Sequence, residues 1–94
     1  MRTIKYTISF KKDYKRENKS GRFTKKLEIE FLDIVDLLTK DELLFKRCCD
    51  HGLVGKWKGY RDCHVRPDLV LIYRKVNKNI LELVRIGSHH QLGL

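Results

Sequence analysis

The sequence predicts an α+β fold, with an N-terminal strand and two to three helices packed on a mainly antiparallel sheet. Three observations carry this prediction: apolar and polar residues alternate at the N-terminus, an apolar stripe with helical spacing follows, and the second half of the chain holds strand-like segments in succession. With 94 residues the chain has the length of one small domain, so we expect residues 1–94 to form a single domain with a thin core and shallow clefts.

The first predicted elements are a strand and two helices. A period-two alternation over residues 2–10 predicts a half-buried strand. Ser9 is expected to cap a short basic helix that reaches about Lys19. The second helix is predicted from about Phe23 to Leu38, where one stripe at helical spacing is apolar: Leu27, Phe31, Ile34, Val35 and Leu38.

The remaining predicted elements are a third helix and three strands. Thr39 and Glu42 have the spacing of a capping box, which predicts a brief helix through Phe45 to Arg47. Strands are predicted at three later segments: Gly55–Val65, Leu69–Lys75 and Ile80–Ile86. The middle one is apolar on both faces at residues 69–73, as expected of a central strand covered on both sides.

The charge of the chain is strongly basic. The net charge is +9, and residues 1–26 carry ten basic side chains against two acidic ones, Asp13 and Glu17. Such an excess attracts polyanions, among which nucleic acid is the commonest. No apolar run approaches the ~20 residues of a membrane span, and the N-terminus lacks a signal-peptide pattern, so we expect a cytosolic protein without a membrane partner. The three cysteines, an odd number, are expected to be reduced thiols.

Histidines and aspartates crowd into one part of the sequence. His51 and His64 lie in a single 19-residue stretch with three aspartates, and the other two histidines follow near the C-terminus. In a regular strand Asp62 and His64 share one face with Lys58 and Tyr60. Imidazole is the side chain that both donates and accepts protons near neutral pH, and nearby carboxylates orient it and favour its charged form.

This set of residues fits cleavage of RNA without a metal. A base takes the proton of the 2′-hydroxyl, an acid protonates the leaving 5′-oxygen, and a cation stabilises the charge between them. His64 and His89 are candidates for the acid and the base, and Arg85 is the candidate cation. Further basic side chains are candidate contacts to the RNA backbone: Arg61, Lys56 and Lys58.

A zinc site is the competing interpretation of the same segment. Its candidate ligands would be Cys48, Cys49, His51, Cys63 and His64. We disfavour it because adjacent cysteines rarely both reach one tetrahedral ion, and we expect no metal and no other cofactor.

The segment from Asp50 to Leu92 carries one long pattern of rare residue types. It reads His51-x-Leu53-x-Gly55-x-Trp57-x-Gly59-x-Arg61-Asp62-x-His64-Val65-x-Pro67-Asp68, followed by Leu71-Ile72-Tyr73 and Arg85-x-Gly87-Ser88-His89. In this pattern the chain closely resembles the YafQ-like toxins of the RelE/ParE superfamily of bacterial toxin–antitoxin systems. One departure is Gly93, which stands where such toxins usually carry a bulky Phe.

The resemblance implies a RelE-like fold and a definite activity. It implies a ribosome-dependent endoribonuclease that cuts mRNA without a metal and thereby inhibits translation. The implied partners are the ribosome, mRNA and a cognate antitoxin with a ribbon-helix-helix part, through which alone the toxin would meet operator DNA. Because the toxin is basic, we expect the inhibitory segment of the antitoxin to be acidic.

The resemblance also implies which residues act. The functional positions fall on His51, Asp62, His64, Asp68 and His89. His89 is implied as the proton donor, and His64 with Asp68 as the base and its helper. The pattern leaves His64, Asp68 and His51 as alternatives for the general base. The alternative to a nuclease is a non-catalytic nucleic-acid-binding module or a gyrase-directed toxin like the ParE branch.

Overall fold

A computed structural model describes all of residues 1–94 and confirms the α+β fold. The helices and strands, in chain order, are β1 (Thr3–Tyr6), α1 (Ile8–Lys19), α2 (Lys25–Thr39), β2 (His51–Gly52), β3 (Arg61–Arg66), β4 (Leu69–Val76), β5 (Ile80–Gly87) and α3 (His89–Leu92). The sheet has the order β1-β5-β4-β3-β2, and every pair is antiparallel except the parallel pair β1 and β5. None of the helices is long and apolar enough to span a lipid bilayer.

The apolar core lies on both faces of the central strand β4. Residues 69–73 are each at most 1% exposed, which confirms the prediction of a strand covered on both sides. On one face, Leu69, Leu71 and Tyr73 pack with Phe10 of α1 and with the apolar stripe of α2. The alternate set, Val70 and Ile72, packs on the opposite face with Val84 and with Leu92 of α3. The sheet thus has a thick helical side and a thinner side on which α3 lies.

The N-terminal strand is shorter than predicted, and Ser9 does not cap α1. Thr7 is the N-cap: its hydroxyl accepts the Phe10 N–H at 3.0 Å and donates to the Val84 carbonyl at 2.7 Å. The strand therefore ends at Tyr6, because Thr7 already begins the helix. Thr24 caps α2 in the same way, by accepting the Leu27 N–H at 3.2 Å.

The predicted third helix through Phe45 to Arg47 is wrong. The Thr39 hydroxyl donates to the Asp36 carbonyl at 2.7 Å, so it does not receive the Glu42 N–H, which instead donates to the Leu37 carbonyl at 3.0 Å. The capping box therefore never forms. A single 3₁₀ turn at Lys46–Cys48 is the only helical structure in this connection.

The predicted strand Gly55–Val65 is wrong in its first half. Gly55 and Gly59 have φ angles of +66° and +93°, in the left-handed region that favours glycine. The chain accordingly forms a 3₁₀ turn at Gly55–Trp57, and the strand begins only at Arg61. Lys58 and Tyr60 lie outside it. Asp62 and His64 keep their shared face, which is opposite to that of the core residue Cys63.

Candidate active site

His64 and His89 meet at one end of the sheet. Their ring centroids are 5.1 Å apart and the rings are nearly perpendicular, at 85°. Strand pairing explains the meeting: His64 is opposite Val70, Val70 is opposite Gly87, and His89 follows two residues later. Two histidines that are 25 positions apart in sequence thus become neighbours through β4.

The short helix α3 holds His89 at its first position. Ser88 and Gln91 form a capping box, in which the Ser88 hydroxyl accepts the Gln91 N–H at 3.1 Å and Gln91 Oε1 accepts the Ser88 N–H at 2.8 Å. Leu92, 3% exposed, anchors the other end of the helix in the apolar core. This helix was not predicted from the sequence, although the spacing of Ser88 and Gln91 is the signal for its start.

Asp68 lies directly beside His89. Asp68 Oδ1 is 3.1 Å from Nδ1 of His89 and accepts its backbone N–H at 3.3 Å. The hydrogen bond to the His89 ring holds the pKa of Asp68 below its ordinary value. A carboxylate at Nδ1 favours the ring form in which Nδ1 donates, which leaves Nε2 to face a substrate. No hydrogen bond joins Asp68 to His64.

Asp62 and His51 face each other across the β2–β3 pair. His51 Nδ1 is 3.1 Å from Asp62 Oδ1, but its hydrogen bond is directed to the Cys49 carbonyl at 2.7 Å. Asp62 is 3% exposed and its Oδ1 has no hydrogen-bond partner. Burial raises the pKa of Asp62, against the opposing effect of the charges of His51, His64 and His89. Asp62 is therefore a poorly solvated carboxyl group, and the charged groups that act most strongly on it are imidazoles.

The candidate cation Arg85 is paired with an acidic residue of α1. Its Nε and Nη2 donate to the two carboxylate oxygens of Asp13, at 2.5 and 3.2 Å, and its side chain is 27% exposed. The ion pair raises the pKa of Arg85 above its ordinary value. Its Nη1 donates to no protein atom in the structure. This nitrogen is the part of the guanidinium fork that remains without a partner.

The other basic candidates lie apart from one another. Arg61 donates to Asp50 at 3.3 Å, and Asp50 also accepts the Tyr73 hydroxyl at 2.6 Å. Because Arg61 directly precedes Asp62 in β3, its side chain projects from the opposite face of the strand. Lys56 and Lys58 are exposed at the 3₁₀ turn, and a Cβ atom on Gly93 would lie 3.5 Å from Lys56 Nζ. Lys56 therefore lies beside the end of α3.

A basic groove that was not predicted from the sequence lies next to His64. A cavity of about 300 Å³ at the rim between α2 and β3 is lined by Lys26, Glu30, Arg47, His64, Val65, Arg66 and Pro67. Arg66 is held across it by two hydrogen bonds to Glu30, at 2.8 and 2.9 Å. The basic residues of this groove come from three separate segments. The only sequence signal for the groove was therefore the basic excess of residues 1–26, which include Lys26.

The fold is shared with a class of bacterial toxins. YafQ from Escherichia coli BL21(DE3) has a solved structure that superposes with a TM-score of 0.83 at 35% identity, covering 98% of each chain. The Escherichia coli DinJ–YafQ toxin–antitoxin complex gives a TM-score of 0.80 at 36% identity, over 97% of this chain and 96% of the other.

Sequence comparison identifies the family. The mRNA interferase toxin YafQ of Escherichia coli K12 is 36% identical over 91 residues, which cover 97% of this chain and 95% of the relative. The family model of YafQ, a bacterial toxin of type II toxin–antitoxin systems, matches residues 2–93. The chain belongs to the YafQ family, which confirms the resemblance seen in the His/Asp pattern.

Proposed function

We propose that this chain is an endoribonuclease and the toxin of a type II toxin–antitoxin system, which cuts mRNA on the ribosome and so inhibits translation. The observation that carries the proposal is the meeting of His64 and His89 at 5.1 Å, with Asp68 and Asp62 beside them. The curated relative is named an mRNA interferase toxin, which supports the same activity.

In the proposed reaction His89 is the general acid. The Asp68 carboxylate lies 3.1 Å from Nδ1 and orients the ring, and the Nε2 proton passes to the leaving 5′-oxygen. His64 is the general base that takes the proton of the attacking 2′-hydroxyl. The buried Asp62 acts electrostatically on His64, so its negative charge stabilises the positive charge that His64 gains when it takes this proton. No step needs a metal ion, because the nucleophile belongs to the RNA.

Arg85 is proposed to stabilise the phosphorane. Its pairing with Asp13 fixes the guanidinium plane before substrate arrives, and such preorganised donors are worth more than mobile ones. Arg61, Lys56 and Lys58 are proposed to contact the phosphate backbone outside the scissile bond. The basic groove beside His64 gives the RNA a second positive surface.

The proposed partners are the ribosome, mRNA and a cognate antitoxin. The DinJ–YafQ complex of Escherichia coli supports the antitoxin, and the net charge of +9 favours an acidic inhibitory segment. We further propose that the antitoxin carries a ribbon-helix-helix part, so that operator DNA is bound only by the complex, and that the toxin acts in the cytoplasm.

The test compares His89→Ala with its neighbour His90→Ala, since His90 is exposed and outside the pair. Cleavage by His89→Ala should fall by about 10²–10⁴-fold because a positioned proton transfer is lost. His90→Ala should cleave as the wild type does. New mRNA 5′ ends on ribosomes after induction measure cleavage, and circular dichroism checks the fold.

Two outcomes would contradict the proposal. Full toxicity of a folded His89→Ala protein would remove His89 from the chemistry. DNA damage without new mRNA ends after induction of the wild type would favour a gyrase-directed toxin instead.

A further inference from the structure

We propose that Arg16 of α1 is a positioning residue, which fixes α3 from the helical side and so holds the His89 ring beside His64. The inference rests on the function proposed above, because it assigns Arg16 a part in the same reaction. Arg16 touches no substrate; it acts through the backbone and side chain that carry His89.

Arg16 joins α1 to the C-terminal part of the site. Its Nη2 donates to the Ile86 carbonyl near the end of β5 at 3.0 Å and to Gln91 Oε1 on α3 at 3.3 Å. The same Gln91 oxygen accepts the Ser88 N–H at 2.8 Å. Arg16 therefore contacts the Gln91 oxygen that completes the capping box. The partner of this oxygen in the box is Ser88, the residue directly before His89.

Two buried carboxylates hold the guanidinium in this orientation. Arg16 Nη1 donates to Asp13 at 2.8 Å, and Nε donates to Glu17 at 3.2 Å. Asp13 and Glu17 are only 4% and 2% exposed, although they lie in a helix rich in lysine. Each of the three side-chain nitrogens of Arg16 thus donates to an acceptor of its own. The rigid fork of arginine provides this geometry, and the single ammonium of lysine does not.

The same two carboxylates reach the other site residues. Asp13 accepts the two hydrogen bonds from Arg85 and the Ile86 N–H at 3.2 Å. Glu17 Oε1 is 3.5 Å from Nη1 of Arg22, and Nη2 of Arg22 donates to the backbone carbonyl of Asp68. One network on α1 therefore supports the candidate cation, the partner of His89 and the helix that carries His89.

The space around Gly87 shows how closely Arg16 approaches the end of β5. A Cβ atom at this position would lie 2.8 Å from Arg16 Nη2 and 2.8 Å from Gln91 Oε1, closer than such contacts normally come. The last residue of β5 thus has no side chain at the place where Arg16 crosses to α3. The contact depends on this small residue.

The short α3 needs an outside support. It has four residues, whereas isolated helices shorter than about 12 residues are marginal in water. Leu92 anchors its far end, and the capping box with Arg16 anchors the end at His89. Without Arg16 the first turn should open more often, and the His89 ring should leave its place.

The experiment compares Arg16→Lys and Arg16→Gln with Lys12→Ala, in the full chain. Lys12 is an exposed residue of the same helix, and its side chain makes no hydrogen bond or ion pair. Lys12→Ala therefore controls for the loss of one positive charge and for a substitution within α1. We expect kcat for mRNA cleavage on ribosomes to fall roughly tenfold in both Arg16 variants with KM unchanged, because catalysis is sensitive to a small misplacement. Lys12→Ala should keep the wild-type kcat.

Amide hydrogen exchange gives a readout that needs no nuclease activity. Exchange at the Gln91 and Leu92 amides, which donate to Ser88, should become about tenfold faster in the Arg16 variants, while the amides of α2 keep their protection. Equal loss of protection in α2 and α3, or wild-type exchange in α3, would overturn the positioning role. If the wild type fails to cleave mRNA, the proposed function fails, and exchange still decides the role of Arg16.

Discussion

Two aspartates buried to the same depth behave in opposite ways. Asp13 and Asp62 are 4% and 3% exposed. Burial would raise the pKa of Asp13, but hydrogen bonds from Arg85, the Ile86 N–H and Arg16 outweigh it and hold the pKa below its ordinary value. Burial also raises the pKa of Asp62, and there it prevails, because no hydrogen bond reaches Oδ1.

The difference lies in hydrogen bonding and not in depth. Asp13 has charged donors on two sides and a backbone donor on a third, so its negative charge stabilises the fold. Asp62 has only the electrostatic attraction of nearby imidazoles, which is a poor compensation for lost hydration. A buried acid that the fold leaves unsatisfied beside histidines is a mark of a functional site, whereas a satisfied one marks a structural support.

The largest expected effect comes from Asp13→Asn. The substitution leaves Arg85 without its counter-charge and Arg16 with only Glu17, and breaking such a buried pair destabilises a protein by about 3 kcal/mol. Urea denaturation followed by circular dichroism measures the free energy of unfolding. Asp33→Asn, on an exposed position of α2 without an ion pair, is the control and should change it by less than about 0.5 kcal/mol. Equal stability of the two variants would break the comparison.

A smaller effect of opposite sign is expected from Asp62→Asn. Asparagine has nearly the same shape and carries no charge that must be desolvated, so the free energy of unfolding at pH 7 should rise by about 1 kcal/mol. Cleavage should fall at the same time, because the negative field on the histidines is lost. A variant that is less stable than the wild type would make Asp62 a structural residue and remove the contrast with Asp13.

The elements that the sequence predicted well are those defined by local pattern. The strands predicted at Leu69–Lys75 and Ile80–Ile86 are observed as Leu69–Val76 and Ile80–Gly87, because apolar runs between turn residues depend little on the rest of the chain. The wrong elements depend on competing contacts. Glycines at positive φ interrupt the alternation before Arg61, and the Thr39 hydroxyl bonds backward to Asp36 instead of starting a helix.

The site was predictable in its members and not in its arrangement. His64 and His89 stand out by residue type, yet their contact depends on the register of β3, β4 and β5, which no local pattern contains. Asp68 was expected to help His64, and the structure places it on His89. Asp13 was hidden, because an acidic residue among lysines in a helix is usually solvated, and only the packing of α1 on β5 buries it.

The smallest effect, and the sharpest test of the comparison, is the pH dependence of the two variants. The folded pKa of Asp13 lies below the ordinary value of 3.8, so its contribution is fully present above that value and is lost as the pH falls through the folded pKa. The folded pKa of Asp62 lies above 3.8, so its ionisation opposes folding, and this penalty begins as the pH rises above 3.8 and is complete above the folded pKa. Urea denaturation from pH 3 to pH 7 should therefore show Asp13→Asn falling below the wild type and Asp62→Asn rising above it as the pH increases. The two curves should approach the wild type at the acid end. Parallel curves, with differences independent of pH, would mean that neither carboxylate changes stability through its charge.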